Sequence, residues 1–430
     1  MNLRRVLIVT YHFPPSAASG SFRLMGFVRH LPKFGWRSVV VAPPRLPWEA
    51  VDVNLVRDLP PETVVYHVRH DLRGPLGLAL KFYAPLSSWL PKAWWACTRA
   101  VHRHRPEVML TSGPPHMVHR LGLLLKRQHR LPWVADFRDP WVAGVEAAGG
   151  TPRGARRAAR VEAAVMGAAD AIVANTPGSC AVLRDAYPEA AARMVAITNG
   201  YDPEAFVAFD APARAGSELK ITHPGQLYAG RDPRPFLDAI RDLERDRPAG
   251  FPPLRAHFVG NLDGQDTDLV AAIRGRGLEE VVTVSGPVSY SESLREMMQS
   301  DILLLLDSPG RSAGVPAKVY EYIGAARPIL ALAESDGDLA WVLRESGVPY
   351  RIAPPGDPAR IKRALVELVA AAREAPKSAR VQQSASRFTR ESLTGELATI
   401  LDSCGDRCRK TFEPVPEPST GPMAAASRPR

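Results

Sequence analysis

The sequence predicts an α/β protein made of two domains, each a doubly wound parallel sheet. Three observations carry this reading. The chain has 430 residues, too many for one typical core and enough for two domains of about 200 residues each. Short apolar runs bounded by loops, such as "RVLIVT" (5–10) and "DILLLLD" (301–307), are the pattern of strands buried on both faces. These runs alternate with helical spacing through both halves, as a parallel sheet with crossover helices requires.

Composition narrows the setting. Hydrophobic residues make up 45% and charged residues 23%, as in an ordinary globular protein. No uninterrupted apolar stretch reaches the ~18 residues of a membrane span. The start, "MNLRRVLIVTYHFPP", has a basic opening and an apolar run that ends at Phe13-Pro14-Pro15, so it reads as a first strand rather than a signal peptide. The four cysteines, Cys97, Cys180, Cys404 and Cys408, lack zinc or redox spacing and are expected to be free thiols in a reducing cytoplasm. A net charge of +10 either favours anionic partners or reflects a bias toward Arg and Ala. The aromatic–basic alternation of a nucleic-acid platform is missing, so no nucleic-acid partner is expected.

The first unit opens with the strand at 5–10 and the loop "YHFPPSAASGSFR". Helical spacing runs from Phe22 through Met25, Val28 and Leu31 to Phe34 and stops at Gly35. Ser19-Gly20-Ser21 at the helix start lets the main chain approach an anion closely. No G-x-G-x-x-G follows the strand, which argues against a dinucleotide dehydrogenase. "RSVVVAPP" and "VVYHV" (64–68) are further strands. The aromatic and basic segment 80–106 reads either as a core helix over Trp94–His104 or as an amphipathic segment on an anionic membrane; Pro85 and Pro91 argue against one long helix.

Residues 107–142 read as strand, loop, helix, strand, loop. The loop Thr111–His116 follows a strand, at the edge where open sheets bind ligands. His116 there either orients a sugar hydroxyl or phosphate, moves a proton, or packs on its own loop. Asp136, Arg138 and Asp139 directly follow the next strand; they either grip acceptor hydroxyls in a cleft or form a structural Arg–Asp pair. A helix (155–169), a strand (170–176) and a strand with an Asn-Gly turn (195–206) close the N-terminal domain, 1–207. The small, polar stretch 208–217 is the expected linker.

The second domain, 218–382, restarts with "KITHPG" and a Gly-rich turn that carries Arg231 near the start of a helix. A guanidinium beside a helix N-terminus suits a pyrophosphate. "RAHFVG" (255–260) and "VVTVSGPVS" (281–289) are strands, and "SESLREMMQS" (291–300) is a helix that starts Ser-x-x-Leu without a capping box. After the strand 301–307 comes "VPAKVYEYIGAARPILAL" (315–332): a proline loop, a short helix Lys318–Ala325 and a buried strand. Lys318 and Glu321 lie three apart on one face. A lysine at a helix N-terminus suits a phosphate, and a carboxylate one turn on accepts from sugar or ribose hydroxyls; the same spacing also fits a surface ion pair. Helices follow at 358–375 and 391–404, with 383–404 expected to pack back on the N-terminal domain. The proline-rich 405–430 is expected to be a disordered tail.

Together "VTYHFPPSAASGSFR", "TSGPPHMVH", "ADFRDPW", "ITNGYDPEAF", "GQLYAGRDP" and "VPAKVYEYIGAARPILAL" resemble the family-4 retaining glycosyltransferases of GT-B fold, in which two Rossmann-like domains face a central cleft. The flavour is that of the surface-polysaccharide subgroup. The resemblance implies a nucleotide sugar as co-substrate and no metal or other cofactor. It implies Glu321 on the ribose, Arg231 and Lys318 on the diphosphate, and the Gly20 loop closing over it. The backbone around Gly286 to Val288 would meet the base, and His116 and Asp139 would face the reacting sugar and acceptor. Asp136 and Arg138 fall on the acceptor side. The first of the family's two glutamates is replaced here by Ala313, and its phosphate Arg-and-Lys pair is reduced to Arg231. The expected activity is sugar transfer to a saccharide or lipid-linked acceptor at the cytoplasmic face of an anionic membrane. A sugar-nucleotide epimerase and a non-catalytic binding member are the alternatives.

Overall fold

The computed structural model describes residues 3–44, 51–70, 85–142, 151–207, 217–227, 230–260, 268–374 and 384–412. Among these residues the strands form two sheets, ordered β3-β2-β1-β4-β5-β6-β7 and β10-β9-β8-β11-β12-β13. Every strand pairing is parallel. In the first sheet β1 is Arg4–Thr10, β2 Trp36–Ala42, β3 Val64–His67, β4 Val108–Gly113, β5 Trp133–Phe137, β6 Ala171–Ala174 and β7 Met194–Ala196. In the second, β8 is Leu219–Pro224, β9 Leu254–Val259, β10 Val282–Ser285, β11 Ile302–Leu306, β12 Ile329–Leu332 and β13 Tyr350–Ala353.

The continuous apolar strands are explained by cover on both faces. Leu7 and Val9 of β1 point into one core, Val6 and Ile8 into the other. Ile302, Leu304 and Leu306 of β11 divide from Leu303 and Leu305 in the same way. On one face of the first sheet lie helices α1 (Ser19–His30) and the last helix; on the other lie α2 (Pro85–His104), α3 (His119–His129) and α4 (Pro152–Ala168). Helix α5 (Pro177–Ala186) follows β6. The second sheet carries α6 (Arg234–Arg245), α7 (Tyr290–Met298), α8 (Lys318–Ala325), α9 (Asp338–Ser346) and α10 (Pro358–Glu374), and the chain ends in α11 (Arg390–Phe412).

Several sequence expectations are corrected. Residues 85–104 form one helix despite Pro91; Pro85 opens it, where its missing N–H costs nothing, and Pro91 removes one interior bond in a helix whose Trp89, Ala93 and Cys97 are buried in the core. Helix α7 does have a capping box: Ser289, two residues upstream of the expected start, accepts from the Glu292 amide, and the Glu292 side chain answers. Helix α11 runs through 405–412, into the stretch read as tail; 413–430 lie outside the described residues, as do 80–84 and 208–216 of the linker. The chain also changes domain earlier than position 207. Tyr201 and Phe206 already pack in the second domain's core. Phe388 belongs to that core too, whereas Leu393, Leu397 and Leu401 pack on the first domain. The two crossing segments are joined by main-chain bonds from Tyr201 to Phe388 (3.1 Å) and from Arg390 to Tyr201 (2.8 Å). No helix among the described residues is long and apolar enough to cross a membrane.

Candidate active site

In each sheet the strand order reverses direction beside the first strand, between β1 and β4 and between β8 and β11. A crevice opens at the carboxyl ends of strands there, and ligands of open α/β sheets bind in it. A cavity of about 600 Å³ lies at the second of these points. Its floor is His223 to Gln226, at and just beyond the end of β8, with Leu305 and Leu306 of β11. Arg231, Lys318 and Glu321 line it, with Pro287 and Val288 at the side. The first domain contributes Ala17, Phe22, Arg23 and Thr198 to Gly200, and α11 contributes Arg390 and Leu393. The cavity therefore belongs to both domains.

Local structure places these groups. Gly314 has φ +89°, open only to glycine without strain, and the loop it turns delivers Lys318 at the first turn of α8. Lys318 Nζ lies 3.4 Å from Ser293 Oγ of α7. The α8 N-terminus has no side-chain cap; its Val319 and Tyr320 amides donate to the Pro316 and Ala317 carbonyls (3.0 and 3.3 Å), and Pro316, Ala317 and Lys318 line the cavity at that end of the helix. Tyr290 at the start of α7 meets Phe22 across the domains, ring centroids 5.4 Å apart. Burial, and then the Glu321 charge, push the Tyr290 hydroxyl well above its usual range, so it stays protonated. Burial alone would weaken the Arg390 cation, but Asp202 and Tyr290 hold it up. Among the described residues no group of three His, Cys, Asp or Glu could hold a metal ion.

The remaining candidates form a second cluster, at the carboxyl edge of the first sheet. Asp136 is buried and committed. Arg23 Nη2 donates to Oδ1 (2.8 Å) and Arg23 Nε to Oδ2 (3.2 Å), while Ser112 Oγ donates to Oδ2 (2.6 Å). It thus sits in a buried ion pair, and its partner is Arg23 rather than the local Arg138. Arg138 donates to the carbonyls of Gly113 and Pro114, clamping the loop that carries His116. A Cβ on Gly20 would fall 1.8 Å from Arg138 Nη1. Glycine at position 20 thus makes room for this guanidinium, while neighbouring Ala17 and Phe22 face the cavity.

His116 is buried among His119, Phe137 and Trp141, with ring centroids 5.8, 5.4 and 5.4 Å away. Burial, then His119 and Arg138, hold its pKa well below the usual histidine range, so it is neutral. It does not line the cavity. Asp139 is exposed after β5, and Gly286 is exposed beside Pro287 rather than in the wall. The structure thus gathers Arg231, Val288, Lys318 and Glu321 in one cavity and sets Gly20, His116, Asp136 and Arg138 in a supporting cluster. Sequence reasoning missed Arg23, His223, Tyr290 and Arg390, whose only local signal is a polar residue inside or beside an apolar run.

Two Rossmann-like domains joined by paired crossing segments around such a cavity define the GT-B fold. The chain matches a glycosyl transferase 4-like domain over residues 21–200 and a glycosyl transferases group 1 domain over 218–371. It belongs to the family-4-like glycosyltransferases. D-inositol 3-phosphate glycosyltransferase of Kineococcus radiotolerans is 30% identical over 185 residues, which are 40% of this chain and 41% of that protein. The match thus spans about two fifths of this relative. A glycosyltransferase from Rickettsia africae superposes with a TM-score of 0.66 at 11% identity, over 94% of this chain and 99% of that one. Anabaena HepE in complex with UDP-glucose superposes at 0.56 with 16% identity, over 95% and 99%. At such identities these structures show the fold alone.

Proposed function

We propose that this protein is an enzyme that moves a sugar from a nucleoside-diphosphate sugar to a saccharide or lipid-linked acceptor with retention, in assembly of a cell-surface polysaccharide or glycoconjugate. The observation that carries this is the convergence of Arg231, Lys318 and Glu321 on one two-domain cavity at a sheet switch point. Arg231 and Lys318 hold the diphosphate, with the positive end of the α8 dipole behind them, and stabilise the charge it gains on leaving. Glu321 accepts from the ribose hydroxyls, and the main chain at Pro287 and Val288 meets the base. These cations do the work that a divalent metal does elsewhere. Asp139 meets the acceptor from the first domain, and neutral His116 supports the wall behind it without acting as an acid. UDP, GDP, ADP and dTDP should be compared by thermal shift. One of them should raise the melting midpoint, and Glu321→Ala and Arg231→Ala should each abolish the rise. A well-folded protein that responds to none of the four would overturn the proposal. Once the donor is known, NMR of the product gives the anomeric outcome, and incubation without acceptor distinguishes an epimerase.

A specific surface supports work at a membrane. Helices α2, α3 and α4 lie side by side. Their outer side shows Lys92, Arg99, Arg103, Arg120, Arg127 and the four arginines of α4. Their single acid, Glu162, is buried and accepts from Tyr187 Oη (3.0 Å) and the Val142 amide (3.1 Å). Trp95 stands 61% exposed among these cations, and the Arg99 guanidinium lies 5.7 Å from its ring. An exposed aromatic side chain beside arginine on a basic face suits an anionic bilayer interface. Vesicles containing phosphatidylglycerol should sediment the protein at low salt, and neutral vesicles should not. Arg156→Glu with Arg157→Glu should weaken this on the order of tenfold or more, at about 1 kcal/mol per cation lost. Equal binding to both vesicle types would remove the membrane from the proposal.

A further inference from the structure

One buried side chain of the cavity, His223, keeps a ring nitrogen without a hydrogen-bond partner. His223 lies near the carboxyl end of β8 and is 4% exposed. Its ring packs against Phe258, with centroids 5.7 Å apart. Nδ1 is 2.9 Å from the Leu304 carbonyl oxygen. A carbonyl only accepts, so Nδ1 carries the hydrogen and donates it. The Tyr322 hydroxyl donates to the same carbonyl at 3.1 Å, which fixes this floor. In the neutral ring Nε2 is then a bare lone pair. It has no hydrogen-bond partner and lies 3.1 Å from where a Cβ on Gly225 would sit. Burial lowers the imidazolium pKa to about 4; the Leu304 bond opposes this, and Lys318 and Arg231 add to it. Glu321 lines the same cavity. The flanking strands present Phe258 and the Leu304 carbonyl.

The chemistry of the ligand decides what Nε2 does. A diphosphate offers only acceptors, so a ring that touches it must carry hydrogen on both nitrogens. Its negative charge also offsets Lys318 and Arg231, which otherwise oppose protonation of the ring. Resting on the donor-site reading above, we propose that His223 takes up a proton at Nε2 together with the diphosphate and donates it to a phosphate oxygen as a third, ligand-dependent cation. The proton comes from solvent on binding and returns when the nucleoside diphosphate leaves, so nothing is consumed over a cycle.

Calorimetry of the full-length protein near neutral pH tests this, in buffers of different ionisation enthalpy. The nucleoside diphosphate selected by thermal shift should bind with uptake of about one proton, and its parent nucleoside with none. His223→Gln should bind the diphosphate on the order of tenfold more weakly and take up no proton. In the wild-type protein, the histidine ring nitrogens seen by NMR should show one Nε2 changing from bare to protonated on addition of the diphosphate. That readout does not depend on the variant folding. Diphosphate binding without proton uptake, or equal uptake in His223→Gln, overturns this inference and leaves the donor site standing. Failure of all four diphosphates to bind overturns both.

Discussion

Arg23 is the side chain on which the carboxyl edge of the first sheet converges. Besides the Asp136 carboxylate it donates to the carbonyls of Thr198 (2.7 Å) and Ile197 (2.9 Å) and to Asn175 Oδ1 (3.3 Å). One planar fork thereby ties α1 to the ends of three strands, which an ammonium cannot do. Arg23→Ala leaves the buried Asp136 without its cation and should cost about 3–5 kcal/mol of stability, with Arg23→Lys recovering only part. Chemical denaturation of the three proteins measures this; a loss below about 1 kcal/mol would place the pair among surface-type contacts. Asp136→Asn should be nearly as costly, and the two losses should not add. The sequence showed that charge stands at the end of β5, because Asp136, Arg138 and Asp139 stand out after the apolar run. It could not show which partner Asp136 takes, since Arg23 lies 113 positions away inside an amphipathic helix. Lys318 and Glu321 were legible for the opposite reason, as their relation is set by helical spacing alone.

At the scale of elements, the join between α9 and α5 connects the two domains close to the loop that leads to Lys318. Asp338, in the first turn of α9, is buried. Its Oδ1 accepts from the Gly178 amide at the start of α5 in the first domain, and its Oδ2 from the Gly314 amide in the loop leading to α8, each at 2.7 Å. One carboxylate thus ends a helix of one domain and holds the turn that positions Lys318 in the other. A Cβ on Gly178 would stand 2.7 Å from that carboxylate. Gly178→Ala should therefore push the domains apart at this point and raise the donor KM several-fold, with the melting temperature lowered by a few degrees. Asp338→Ala should do the same and cost about 1–3 kcal/mol for the amides left buried. A KM that stays at the wild-type value in both variants would reduce the contact to a structural one. The elements themselves were readable from apolar period and turn residues. Their ends were less so. The true N-cap of α7, Ser289, stands two residues before the serine that begins the run, and only its Glu292 partner identifies it.

For the whole molecule, the order of two α/β halves was plain in the sequence, while the way they are held together was not. The crossing segments look like ordinary loops, yet they carry a buried charge cluster. Asp202 accepts from His30 Nε2 of α1 at 3.0 Å and pairs with Arg390 of α11. Burial alone would raise its pKa, but the His30 hydrogen bond and the Arg390 charge outweigh burial and hold the carboxyl well below the ordinary range. A carboxyl whose folded pKa lies below its unfolded value near 3.9 adds stability above that value, and the gain is lost as pH falls toward the folded pKa. Acidification below about pH 5 should therefore remove on the order of 2–4 kcal/mol through this one group, and the loss should fall on the paired crossing segments. Asp202→Asn should be less stable than wild type at neutral pH, because His30 and Arg390 lose their acceptor charge. The gap between the two proteins should begin to narrow as the pH falls through about 4, and it should close only near the folded pKa, where protonation makes the wild-type group neutral as well. Urea midpoints measured across that range decide the matter. A gap that stays constant with pH would assign the acid sensitivity of the domain pairing to other carboxylates.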